Sequence, residues 1–458
     1  MTLIRKDVLG MTVPILTEQV FIVLMGVVNA IMAGRIGKEA VSAIGMVDSI
    51  NNVFISMITA LAVGGTVVVA YYTGQRNRPS ANEAAKQALL SGLGIALVIT
   101  LLIWLFRYPV LNILYGSAEQ VVLNQAFIYL NITLPTYPLI ALISIACGVL
   151  RGAGDTRTPM KVTILMNIFN VILSYLFIYG LEVKSGGFVG IIPGMGVKGA
   201  AIGIAAARAI GALLFIYVLL KGTTSTQLTN MFKVRWNWDM QKSIFGVGLP
   251  AGIEQLLFTG GKLATQTFIV GMGTAAIAAN YIATSVFSLF SIPGNSMSIA
   301  STTMIGQCMG RGDSEEARKT MRYLTIFSSV CLLVLSAFLF PLAGLLSSLY
   351  TQSEDVIDLS TKLLRLSAIC MPPLWALSFV LPAGLRGAGD AKYTMATSIL
   401  GMWVFRITLA YILGVPLGMG VTGIWIGMFV DWLIRAILYY ARFKGDKWKR
   451  NSVVKEIG

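Results

Sequence analysis

The sequence predicts an all-α integral membrane protein, with twelve transmembrane helices in two six-helix parallel-repeat bundles around a central cleft. Three observations predict it. Of 458 residues, 56% are hydrophobic and only 12% are charged, where soluble domains carry about a quarter charged. Apolar runs of about 20 residues, the length of helix that crosses a hydrocarbon core, recur along the whole chain. Finally, the same short motifs appear twice in the same order.

The apolar runs fall at 12–34, 48–72, 88–106, 124–149, 161–181 and 199–220 in the first half. The second half repeats them at 247–271, 278–306, 323–345, 362–385, 395–416 and 420–441. The first run follows Arg5, Lys6 and Asp7 without a small-residue cleavage pattern, and at full spanning length it reads as a mature helix, not a signal peptide. It carries Glu18 and Asn29. Asp48 stands near the outer end of the second run. The fourth and tenth runs carry Pro135, Pro138, Pro372 and Pro373, which free carbonyls and permit bends. In the fifth, Asn170 and Ser174 are four apart and share a helix face. Arg208 lies in the sixth, Glu254, Gln255, Lys262 and Thr265 in the seventh, and Arg406 in the eleventh. On the twelfth, Asp431 and Arg435 have the four-residue spacing of a local ion pair.

The repeat organises these elements. "PILTEQV" at 14–20 returns as "PAGIEQL" from 250, so Pro14 matches Pro250, Glu18 matches Glu254 and Gln19 matches Gln255. "CGVLRGAGDTRTPM" (147–160) returns as "AGLRGAGDAKYTM" (383–395), with "LRGAGD" identical. "GMGVKGAAIG" (194–203) returns as "GMGVTGIWIG" (418–427). An even number of spans per copy sends both copies into the membrane in the same direction, related by an axis along the membrane normal. The expected division is an N-terminal lobe at 1–221, a cytoplasmic link at 222–242, a C-terminal lobe at 243–445 and a cytoplasmic tail at 446–458.

With the N-terminus inside, roughly two thirds of the 35 basic residues fall on the cytoplasmic side. Both termini are therefore expected in the cytoplasm of a multi-pass cell-membrane protein. The net charge of +15 reflects this topology and anionic headgroups rather than nucleic acid, because the charges are split among short loops. The chain has no histidine, which removes histidine metal sites, bases and proton relays. Cys147, Cys308, Cys331 and Cys370 show no paired spacing. No nucleophile and base pair, metal-ligand cluster or phosphate-binding loop supports an enzyme, and no cofactor is expected.

Glu18 and Glu254 are the leading candidates for function. Each stands about a turn past a proline, and neither has a basic residue within the next four positions. An acid at a helix centre costs about 2.5–3.5 kcal/mol on insertion scales. Holding a glutamate protonated at neutral pH costs about 3.7 kcal/mol, so such a group can exchange a proton for a cation. The alternative is a protonated glutamate that only hydrogen-bonds between helices. Asn29, about three turns beyond Glu18, its counterpart Thr265, and the Asn170 and Ser174 pair offer neutral oxygens. Helix-to-helix hydrogen bonding is the alternative for these too. Lys262, about 12 Å along the helix from Glu254, is expected to pair with another acid. Six-plus-six parallel repeats with buried charges point to a secondary transporter.

The pattern "PILTEQVFIVLMGVVNAIMAGRIG", the repeated "LRGAGD" and "GLPAGIEQLLFTGGK" resemble the multidrug and toxic compound extrusion (MATE) transporters along the full length. The resemblance implies an antiporter that exports amphipathic, mostly cationic drugs or metabolites in exchange for Na+ or H+, with Glu254 at the family's seventh-helix acid. It also marks departures. Asn29 stands where many bacterial members have Asp, Ser174 where a second acid is usual, and the tenth span lacks the acid some members carry. Glu18 is then a candidate substitute for the missing carboxylate. A monomer is expected. A flippase for lipid-linked envelope precursors, from the same superfamily, is the competing function, kept open by Arg208, Lys262 and Arg406.

Overall fold

A computed structural model describes residues 2–115, 118–185, 188–222 and 236–450. Most of the expected link (223–235) and of the expected tail (451–458) therefore lies outside the described residues. The N-terminal lobe comprises α1 (Thr2–Ile36), α2 (Lys38–Gly74), α3 (Arg78–Leu105), the short α4 (Arg107–Tyr115), α5 (Gln120–Thr133), α6 (Tyr137–Gly152), α7 (Arg157–Tyr179) and α8 (Val197–Lys221). The C-terminal lobe comprises α9 (Trp238–Val270), α10 (Thr274–Phe290), α11 (Ile292–Gly310), α12 (Ser314–Ser348), α13 (Glu354–Trp375), α14 (Leu381–Gly387), α15 (Ala391–Ile399), α16 (Ile407–Gly414) and α17 (Gly420–Lys444). The loop between α7 and α8 is an antiparallel hairpin of β1 (Gly180–Ser185) and β2 (Phe188–Pro193).

Ten stretches among the described residues are long and apolar enough to cross a membrane, or eleven when α10 and α11, bent by 52° at their junction, count as one broken span. The bend falls at Ser291 with Pro293 in the first turn of α11, where proline's missing N–H costs the helix nothing. The expected span left out of this count is the seventh, 247–271, which coincides with α9. At 33 residues it has the length, but Glu254, Gln255 and Lys262 dilute its apolar character.

The proline-bearing runs bend differently in the two lobes. In the N-terminal lobe a single 3-10 turn, Leu134–Thr136, joins α5 to α6. In the C-terminal lobe α13 passes into α14 through a π-helical segment, Ala376–Val380, and α15 into α16 through a second, Leu400–Arg406. Such wide turns insert an extra residue and re-aim the side chains around them.

Close glycine contacts repeat across the two copies. A side chain at Gly203 on α8 would strike Ser174 of α7, and one at Gly427 on α17 would strike Ala410 of α16. Gly199 meets Phe177 in the same way that Gly423 meets Leu413. The internal duplication is thus one packing scheme built twice.

The lobes meet at the end from which α8 and α9 lead into the link. There Gly64 of α2 lies against Ile244 and Gly248 of α9, Gly74 against the Gln307 carbonyl, and Gly310 against the Tyr71 carbonyl. Gln307 Nε2 donates to the Gly152 carbonyl at 2.9 Å, and Gln241 Nε2 to the Gln87 carbonyl at 3.0 Å. Backbones this close require glycine, so the linker-side seam is a specified contact.

Candidate functional site

Each repeated glutamate meets the arginine of the repeated hexapeptide in its own lobe. Arg151 Nη2 at the end of α6 lies 2.6 Å from Glu18 Oε2, and the Thr163 hydroxyl donates to Glu18 Oε1 at 3.0 Å. Arg386 Nη1 at the end of α14 donates to both oxygens of Glu254, at 3.1 and 3.2 Å. The four positions after each glutamate hold no basic residue, as the sequence shows, yet each carboxylate has a basic partner. Their partners are 133 and 132 residues away, out of reach of any test of neighbouring positions. The first pair is buried, with Glu18 2% exposed. The second lines a cavity of about 300 Å³ between the lobes, with Gln255 beside it and α2 residues opposite.

A cavity of about 290 Å³ in the N-terminal lobe gathers Asn29, Asp48, Asn170 and Ser174. Ser174 Oγ donates to Asn170 Oδ1 at 2.9 Å. Asp48 accepts from Asn51 Nδ2 at 3.1 Å, and Asn51 in turn accepts from the Tyr137 hydroxyl at 2.6 Å. Among the described residues Asp48 has no ion pair. Glu18 does not line this cavity, so the carboxylate beside Asn29 is Asp48, and the substitution of Glu18 for a missing acid at position 29 is not what the structure displays.

A second cavity, of about 580 Å³, occupies the corresponding place in the C-terminal lobe. Applying the repeat offsets, Gly26, Asn29 and Asn170 of the first cavity become Lys262, Thr265 and Arg406 of the second, and Asp48 becomes Thr284. The matched cavities thus have opposite charge. Lys262 Nζ sits 4.9 Å over the Phe258 ring and, contrary to expectation, has no acid partner among the described residues. Thr265 turns its hydroxyl to the Lys262 carbonyl at 2.9 Å. Asp431, the nearby acid, is held by Arg435 through two bonds of 2.8 and 2.9 Å, the local pair its spacing suits.

Known proteins bear on this arrangement. The MatE family model matches the chain twice, at 14–176 and 250–412, one copy per repeat. The chain belongs to the MatE family. A probable multidrug resistance protein NorM of Thermotoga maritima is 28% identical, covering 99% of this chain and 96% of its own. An uncharacterized transporter, YisQ of Bacillus subtilis, is 27% identical over 96% and 94%. A solved structure described as the outward-facing conformation of a multidrug resistance MATE family transporter superposes with a TM-score of 0.88 at 21% identity, over 96% of this chain and 95% of its own. Another, from Pyrococcus furiosus, is described as a MOP superfamily transporter whose reversed pocket polarity suggests a different function. It superposes at 0.86 with 22% identity, over 96% and 95%. This MATE protein is a membrane transporter, not an enzyme.

Sequence reasoning missed Arg151, Arg386 and Thr163, and it left Arg406 without a place. The signal existed. An arginine inside an identical repeated hexapeptide, in a chain with a repeated buried glutamate, is the partner that symmetry supplies twice.

Proposed function

We propose that this transporter is a secondary antiporter of the cell membrane that exports amphipathic drugs or metabolites in exchange for Na+ or H+, with both termini cytoplasmic and the monomer as the working unit. Multidrug resistance proteins among its relatives support export. The observation that carries the exchange is Asp48, a carboxylate with no ion pair among the described residues, in a cavity where Asn29, Tyr129, Asn170 and Ser174 also offer oxygens. Such a set suits a hard cation or a proton. Gln255 and Glu254 line the gap between the lobes, where Arg386 can exchange Glu254 for another partner as the lobes rock. The organic cations that the family resemblance implies as cargo would find lining carboxylates at Asp48 and at Glu254, the latter already holding Arg386.

The test is transport by purified protein in proteoliposomes under Na+ and proton gradients imposed separately. One gradient drives efflux of a dye and the other does not. Equal flux with neither gradient imposed sinks the exchange reading. One observation favours a second reading, a flippase for lipid-linked envelope precursors: two cations, Lys262 and Arg406, face one cavity. Rescue of a strain lacking its envelope-lipid flippase decides that alternative.

A further inference from the structure

We propose that the C-terminal-lobe cavity binds the anionic group of a small aromatic organic acid, a carboxylate or sulfonate. The inference rests on the export reading above, and for this cavity it assigns an organic anion as cargo in place of the organic cations that the family resemblance implies. It comes from three features of the cavity, none of which the paired glutamates or the N-terminal-lobe cavity share.

The first is charge. Lys262 and Arg406 line the cavity, and among the described residues no carboxylate does. Arg406 is 8% exposed and makes no ion pair or hydrogen bond among the described residues. Among the described residues the acid close by, Asp431, is fully buried and committed to Arg435. A buried cation left without a counter-ion is costly, and an anion bound in the cavity, within reach of the exposed Lys262 ammonium as well, is the partner that offsets it.

The second is unmet donors. Arg406 Nε and the Trp432 indole Nε1 are both buried without an acceptor, and both residues line the cavity. With the exposed Lys262 ammonium they give three donors, two of them on cations, drawn from three helical elements. Buried donors of this kind are normally satisfied, and oxygens of a carboxylate or sulfonate satisfy them with charge assistance. Trp425, by contrast, has already given its indole N–H to Asn280 Oδ1 at 2.9 Å.

The third is the apolar lining, which selects an aromatic body. Phe258, Trp375, Trp425 and Trp432 wall the same space. Trp375 and Phe379 stack at 4.8 Å, and Phe379 meets Trp432 edge-on at 5.6 Å. Phe379 and Arg406 reach the cavity from the two π-helical segments, so the irregular turns of this lobe deliver both an aromatic wall and the unpaired cation. The volume of about 580 Å³ falls within the roughly 300–1,000 Å³ of drug-sized sites. A polyprenyl pyrophosphate satisfies the charge but not the size.

The N-terminal lobe provides the internal control. The same fold position there holds Gly26 and Asn170 in place of the cations and Asp48 in place of Thr284. One lobe is thus suited to a cation and the other to an anion, so coupling ion and cargo need not compete for one site.

The experiment measures fluorescence anisotropy of fluorescein, an aromatic carboxylate, and of ethidium, an aromatic cation, with the full-length protein in detergent and no gradient. Fluorescein is expected to bind more tightly than ethidium. Lys262→Met and Arg406→Gln should each weaken it by about tenfold or more. Lys262→Arg should retain binding, and Thr284→Asp, which adds the N-terminal lobe's charge without removing a donor, should abolish it. Tighter binding of ethidium, or fluorescein binding indifferent to both neutralisations and to Thr284→Asp, overturns the proposal. Farnesyl pyrophosphate serves as competitor, and an affinity above that of fluorescein replaces the organic acid with a polyprenyl pyrophosphate and likewise overturns it. Fluorescein binding without flux under any gradient supports the site while overturning the export reading.

Discussion

Arg151 Nη2 lies 2.6 Å from Glu18 Oε2, and the same contact is made in the other lobe between Arg386 and Glu254. The two pairs differ in burial: the side chains of the first are 14% and 2% exposed, those of the second 19% and 15%. That difference separates their roles. Removing one member of a buried pair strands the other charge, at about 3–5 kcal/mol. Glu18→Gln should therefore lower the melting temperature of the detergent-solubilised protein markedly. The double variant Glu18→Gln with Arg151→Gln should recover part of the loss, because neither charge remains stranded. Melting curves of Glu18→Gln, Arg151→Gln and the double variant check this, and a double variant no better than either single one contradicts the pairing.

Glu254→Gln should cost less stability, because its pair borders the cavity between the lobes and water can reach it. Its effect should fall on transport instead. In proteoliposomes we expect gradient-driven dye efflux to drop severely while the melting temperature stays closer to that of the native protein than for Glu18→Gln. Native rates in the Glu254 variant would remove it from the exchange cycle.

Asp48→Asn should uncouple the carrier. Asp48 is the lining acid of the N-terminal-lobe cavity, so its neutralisation should bring gradient-driven efflux down to that of protein-free liposomes. Fluorescein binding at the distant C-terminal-lobe cavity should change by no more than about twofold, since separate sites add independently. Parallel flux and anisotropy measurements on one preparation check both halves.

The fold was legible because the membrane demands long apolar helices and because the duplication states each half twice. Legibility ended where a contact depends on residues remote in sequence. Glu18 looked unpartnered because a helical turn was the only neighbourhood visible, whereas Arg151 arrives from another helix. Lys262 was expected to find an acid, but the nearest, Asp431, is taken by Arg435. The bend at Ser291 and the two π-helical segments came from proline and packing context that apolar periodicity does not register. The opposition of Asn170 and Arg406, in contrast, was within reach. The 236-residue spacing that aligns Glu18 with Glu254 also aligns this pair, and the two charged cavities follow from it.

The linker-side seam gives the last prediction. A Cβ at Gly74 would strike the Gln307 carbonyl, and one at Gly310 the Tyr71 carbonyl. Both obstacles are backbone, which cannot swing aside as a side chain can. Overpacking of this kind costs about 1–3 kcal/mol, and a differential cost of that size moves a two-state equilibrium about 5- to 150-fold. Gly74→Val and Gly310→Val should therefore shift the lobes away from the closed linker-side state. Spin labels on Gln75→Cys and Lys319→Cys, exposed positions in opposite lobes, should report a longer mean distance in either glycine variant than in its absence. Efflux should fall in step, because a carrier that cannot seal one side cannot alternate. An unchanged distance distribution in both variants would show that the seam tolerates the added side chain and that its glycines serve helix packing alone.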